Sequence, residues 1–142
     1  MSIKNNPCYQ SFVDPELSAQ LWNLGLCAKT HFMWRTPGKG EVELYTNLFD
    51  VDGYYAQGVA NLKYIKGPEY AFSAFQLGDM EKLLPDYTID RVINKYTLCM
   101  ENMWGIAPAE SDRLPDVFAK MVLQLLEKNK IFIPRAMEML QA

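Results

Sequence analysis

The sequence predicts an α+β fold in a single domain spanning residues 1–142, on three observations. Leu114, Val117, Phe118, Met121, Val122, Leu125 and Leu126 follow the spacing 0, 3, 4, 7, 8, 11, 12, which draws one apolar stripe along a helix. Two other stretches are rich in strand formers and broken by turn residues, so each reads as a hairpin. Hydrophobic residues make up 49% of the 142, with 7 Phe, 8 Tyr and 3 Trp among them. A chain of this size and composition folds around its own core, burying about two-thirds of its unfolded surface without disulfide or metal staples.

Asp14-Pro15-Glu16 predicts the first helix start. The Asp14 carboxylate can accept from free amides, Pro15 suits the first turn, and Glu16 meets the positive end of the dipole. Leu17, Leu21 and Leu24 share a face, and Gly25 supplies a left-handed stop, so the helix runs from about Pro15 to Leu24. Thr30–Arg35 and Glu41–Tyr45 then flank Thr36-Pro37-Gly38-Lys39-Gly40, with Pro37-Gly38 at the centre of a type II turn. In this hairpin Phe32 and Trp34 fall on one face, as do Val42 and Leu44.

Residues 47–72 sustain neither helical nor strand periodicity and read mostly as loop, with room for a short strand at Asn61–Ile65. Leu77, Met80, Leu83 and Leu84 predict a short helix that Pro85 ends. Residues 87–102 fit either a helix face or a second hairpin turning at Asn94-Lys95; the hairpin is preferred. The long amphipathic helix is expected at about 113–129, packed on one face of the strands. Ser111 or Asp112 would cap its start, and Asn129 would stop it. Ile131-Phe132-Ile133 leads to Pro134, which starts a last helix ending near Gln141.

Charge and chemistry exclude more than they select. Residues 1–71 carry 6 basic and 7 acidic side chains and residues 72–142 carry 8 and 10, so no basic stripe speaks for phosphate binding. Nucleic acid is disfavoured as a partner. Cys8, Cys27 and Cys99 are too few and too far apart for a disulfide framework or a zinc knuckle, and they read as reduced thiols. With no signal peptide and no apolar run of membrane-spanning length, a cytoplasmic location and no membrane partner are expected. Asp50-Val51-Asp52-Gly53 echoes half of a calcium loop, but Leu48 and Val59 stand where further ligands are needed. Gly38-Lys39-Gly40 lacks the rest of a phosphate loop. His31 is the single histidine, and a Cys/His nucleophile pair built on it has no local support. Asp112 with Asp116, and Glu41 with Glu43, read as a helix opening and an exposed strand face. No catalytic residue, metal ligand or cofactor is expected.

The surplus that remains is aromatic. Tyr45, Phe49, Tyr54, Tyr55, Tyr64, Tyr70, Phe72 and Phe75 fall within 31 residues of little regular pattern. Tyrosines on a loop give large contact area at small entropy cost, which nominates Phe49, Tyr54 and Tyr55 as a binding surface for a protein partner or a second copy. The bland alternative is that these rings fill space beneath the loop.

Ser73-Ala74-Phe75-Gln76-Leu77-Gly78-Asp79-Met80-Glu81-Lys82-Leu83-Leu84-Pro85, followed by the stretch from Leu114 to Glu127, resembles small uncharacterised proteins encoded in phages and prophages of gut bacteria. The resemblance covers residues 73–130. It implies a short helix ending in Leu-Leu-Pro, a strand-rich stretch and an amphipathic helix, in an accessory protein of the bacterial cytoplasm. The matching residues are of core type, so the resemblance transfers no site. The expected function is therefore a small soluble non-enzymatic interaction protein. An enzyme with a cleft near His31, and nucleic-acid accessory binding through loop aromatics, are the alternatives.

The periodicity places position 125 at the centre of the buried helix face, where an unpaired carboxylate is costly. Leu125→Asp should unfold the protein or lower its melting temperature severely. Circular dichroism of the purified variant reads this directly, and a melt like the parent's would remove Leu125 from the core.

Overall fold

The computed structural model describes residues 10–26, 28, 30, 32–37, 43–46 and 69–141. Helix α1 spans Pro15–Asn23, and the Asp14 carboxylate accepts from the Glu16 amide at 3.0 Å. Its end is a Schellman closure: Gly25 sits at φ +107° while Leu26 N–H donates to the Leu21 carbonyl at 3.1 Å. A Cβ at Gly25 would meet only ordinary contacts with Ile133, 3.7 Å away, so it is the backbone angle that demands glycine.

Two three-stranded antiparallel sheets stand where the sequence suggested one set of strands from two hairpins. The first has β1 (Phe32–Pro37) between β2 (Glu43–Thr46) and β3 (Glu69–Ser73), in the order β2-β1-β3. Thr36 and Pro37 are strand rather than turn, because they pair with Tyr70 and Glu69 of β3. Gly38 and the remainder of the expected turn lie outside the described residues, as does Asn61–Ile65. Residues 69–72 correct the loop reading of 47–72: Tyr70 and Phe72 are good strand formers, and β1 supplies the partner that a periodicity search cannot see.

Helix α2 (Leu77–Leu83) follows, opened by a Gln76 N–H bond to the Asp79 carboxylate at 2.9 Å. The second sheet has the order β4-β5-β6, with β4 at Tyr87–Val92, β5 at Lys95–Met100 and β6 at Ala109–Ser111. In the register Val92 opposes Lys95, so the turn is Ile93-Asn94, one residue earlier than Asn94-Lys95. The three-residue β6 is too short to show a pattern in the sequence.

Helix α3 spans Leu114–Glu127 and α4 spans Ile133–Gln141. The residue before α3 is Arg113, which makes no side-chain cap; Ser111 Oγ accepts the Arg113 amide at 3.3 Å instead. Asn129 at φ +57° closes α3, with Lys130 N–H donating to the Leu125 carbonyl at 2.8 Å. Helix α3 is not a one-sided lid on a sheet. Pro115, Asp116, Val117, Phe118, Ala119, Met121, Val122, Leu123, Leu125 and Leu126 are all buried, because α1 and α2 flank it while β5 and β6 pack on it. Leu21, Phe75, Met80, Leu98 and Ala136 complete the core. Beside it Phe12 stands edge-on to Phe32 and Trp34, with ring centroids 5.1 and 6.0 Å away, so these two β1 residues share a face. Among the described residues no helix is long and apolar enough to cross a membrane.

A polar node fastens the N-terminal segment to α3. The Asp116 carboxylate accepts from the Asp14 amide at 2.8 Å and from Arg113 Nη1 at 2.7 Å, and Arg113 Nη2 reaches the Phe12 carbonyl at 2.7 Å. Val13 N–H donates to the Phe75 carbonyl at 2.8 Å, and Phe12 bridges Gln76, so the same segment is also tied to the stretch after β3. Asp116→Ala strands an amide and a guanidinium in a buried place and should cost about 3 kcal/mol. Urea titration checks this; Asp116→Asn, which keeps an acceptor, should cost less.

Candidate interaction surface

Large apolar side chains are exposed at two places in the described structure. The first is the β4–β5 hairpin, where Val92 is 65% and Ile93 86% exposed. A two-residue hairpin turn needs left-handed backbone at one or both central residues, which is why glycine or asparagine usually stands there. Here the left-handed residue is Ile93, at φ +50°. A β-branched side chain at that angle is strained, and nothing buries it in exchange.

The second place is the end of α3. Lys128 Nζ donates to the Gly105 carbonyl at 2.5 Å, and Gln124 bonds both backbone groups of Ala107, at 2.7 and 2.9 Å. These bonds hold the β5–β6 connection against the helix and leave its neighbouring Trp104 95% exposed. At the same end Leu24, Leu126, Ile131, Phe132, Ile133 and Pro134 line a groove of about 700 Å³ whose polar side chains are Glu127 and Asn129. Phe132 stands at its rim, 81% exposed.

The sheet between these places is chemically quiet. On its outer face Lys95 pairs with Glu110 at 2.9 Å, both half exposed, which is worth little in water. On the face toward α3, Arg91 lies over the Tyr96 ring at 5.5 Å, and Tyr87 meets Phe118 edge-on at 5.2 Å. Burial raises the Tyr87 phenol above its usual pKa, and its bond to the Glu81 carboxylate, 3.1 Å long, raises it further. Cys99 is a free, half-buried thiol in β5 opposite Thr88. Among the described residues no three His, Cys, Asp or Glu side chains stand close enough to hold a metal ion.

Phe49, Tyr54 and Tyr55, and with them His31, Cys8, Cys27 and the Asp50–Gly53 turn, lie outside the described residues. Part of the aromatic surplus has an ordinary place: Phe75 is fully buried in the core. Sequence reasoning passed over Ile93, Trp104 and Phe132. Trp104 beside Gly105 and Phe132 between two isoleucines carry no signal of exposure, and Ile93 fits the helix face that residues 87–102 also allow. No family model matches the chain, and no curated protein or solved structure is significantly similar to it.

Replacing Ile93 by Gly removes the strain while deleting a side chain that packs on nothing. Ile93→Gly should stabilise the fold by about 1 kcal/mol. Chemical denaturation checks the sign, and a loss of stability would show that the Ile93 side chain has a packing role.

Proposed function

We propose that the protein is a small non-enzymatic accessory protein that works by binding another protein through exposed apolar side chains. The observation that carries this reading is the near-complete exposure of Trp104 and Phe132, rings that bury 150–250 Å² when covered, at the same end of one helix. A scattered exposed Leu is ordinary on a soluble surface, but large rings presented from bonded loops are the kind of anchor that dominates binding energy. The phage or prophage setting and bacterial cytoplasm implied by residues 73–130 suit such a role. Phe49, Tyr54 and Tyr55 remain proposed contributors from their sequence context.

The test is a comparison of folding with binding. Trp104→Ser and Phe132→Ser should each change stability by no more than about 0.5 kcal/mol, as surface substitutions do, while a truncated anchor weakens binding by about 30-fold. Thermal melts read the first quantity. Titrated retention of bacterial lysate proteins on the immobilised chain reads the second, and equal retention by parent and variants would overturn the reading.

A further inference from the structure

The order β4-β5-β6 leaves β4 at an edge, and no described residue pairs with its outer side. The bond from Glu101 N–H to the Asp86 carbonyl, 3.0 Å, fixes the phase of the ladder. Antiparallel pairs alternate, so Thr88, Asp90 and Val92 bond to β5 while the N–H and C=O groups of Tyr87, Ile89 and Arg91 point outward. Six backbone groups are thus presented in a row. The strand Tyr-Thr-Ile-Asp-Arg-Val holds no proline, lysine or bulge, and its charged residues are Asp90 and Arg91. Its Arg91 guanidinium is drawn back over Tyr96, away from the edge. Ile89 faces the α3 side, opposite buried Leu98, yet stays 37% exposed: the helix packs mainly on β5 and β6 and meets β4 at its start, where Tyr87 touches Phe118.

We infer that this edge pairs with β4 of a second copy of the chain, antiparallel and centred on Ile89. The inference goes beyond the binding reading above, since it concerns a different surface and stands or falls separately from Trp104 and Phe132. A two-fold axis through a shared sheet brings together residues that lie on the same face, which leaves few registers. Centred on Asp90, the pairing sets two carboxylates opposite each other; centred on Arg91, it opposes two guanidinium groups. Both are unfavourable. Centred on Ile89, no like charges oppose. Ile89 meets the second copy's Ile89, Tyr87 meets the second copy's Arg91, and on the outer face Thr88 meets the second copy's Asp90. All six outward groups find partners, and the uncovered flank of Ile89 is covered. Of the registers centred on a residue of β4, this one alone pairs all six outward groups within the strand.

Sedimentation equilibrium of the full chain over a wide concentration range should show monomer and dimer. Ile89→Pro deletes an N–H that β5 does not use, so the hairpin survives while two intermolecular bonds are lost, and association should weaken about 30-fold. Directly opposed, hydrogen-bonded residues have Cα atoms about 5.5 Å apart, within disulfide range. On mild oxidation Ile89→Cys should therefore form a covalent dimer far above the level of the parent, with its natural cysteines, and of Asp90→Cys. This second variant decides the matter even where the proline variant fails to fold. A parent that stays monomeric at every concentration, or cross-linking that peaks at position 90, overturns the pairing. Retention that depends on Trp104 in a monomeric chain would leave the binding reading standing, whereas a cross-linked Ile89 dimer with unchanged Trp104→Ser retention would do the reverse.

Discussion

The Asp116 carboxylate is the joint on which the arrangement of elements depends. One oxygen takes the Asp14 amide and the other takes Arg113, whose second terminal nitrogen holds the Phe12 carbonyl. Residues about a hundred positions apart are thereby locked side by side at the start of α3. That contact sets where α1 begins, since Asp14 is both the cap of α1 and the donor to Asp116. It also sets the place of the first sheet, because Phe12 carries the edge-on contacts to Phe32 and Trp34. The pair is only 14% and 9% exposed, so its charges are held by directed bonds rather than by water. Such a node fixes geometry more than it adds stability, since well-packed apolar residues could stabilise as much.

From this joint the core is built around α3, and the way α3 is covered explains what is left open. Lys120 and Glu127 are its exposed positions, with Lys120 still reaching the Glu110 carbonyl at 2.9 Å. A helix buried nearly all round has to be surrounded, and here strands β5 and β6 with two flanking helices supply most of the cover. Coverage reaches Leu98 and Ala109 and falls off at Ile89. The exposed edge of β4 is thus a geometric consequence of a narrow helix lying across a wider sheet.

Legibility in the sequence followed the range of each cause. Four helix limits were readable because their causes are local: the Asp14 cap, Gly25 and Asn129 as left-handed stops, and Pro85 after α2. The start of α3 was not, since Arg113 stands there without a side-chain cap in place of Ser111 or Asp112. The buried stripe of α3 was readable because seven apolar residues kept one period. Strands β3 and β6 were not, since each is defined by a partner distant in the chain. Asp116 was placed rightly in the first turn of its helix, but its long-range partner was hidden for the same reason. Its position in the first turn of a helix suggests a dipole complement, whereas its partner Asp14 stands 102 residues away. The candidate site fared worst: exposure is what remains after everything else has packed, and a single sequence gives no means of computing that remainder for Trp104 or Phe132.

Where a sequence breaks a local rule without an evident structural return, function is the first place to look for the return. Gly25 and Asn129 obey the rule for left-handed backbone, and both end helices. Ile93 does not: the turn would close as well with glycine, and the side chain that strains it is almost wholly in water. Trp104 and Phe132 break a different rule, that large rings find cover. The two violations lie at opposite ends of the second sheet, one at the hairpin turn and one where Lys128 and Gln124 pin the β5–β6 connection to the helix. Those bonds give the connection a fixed shape, so Trp104 is held on a scaffold. A ring held in place loses little further freedom when a partner covers it, and that is the physical condition for an exposed aromatic to bind well.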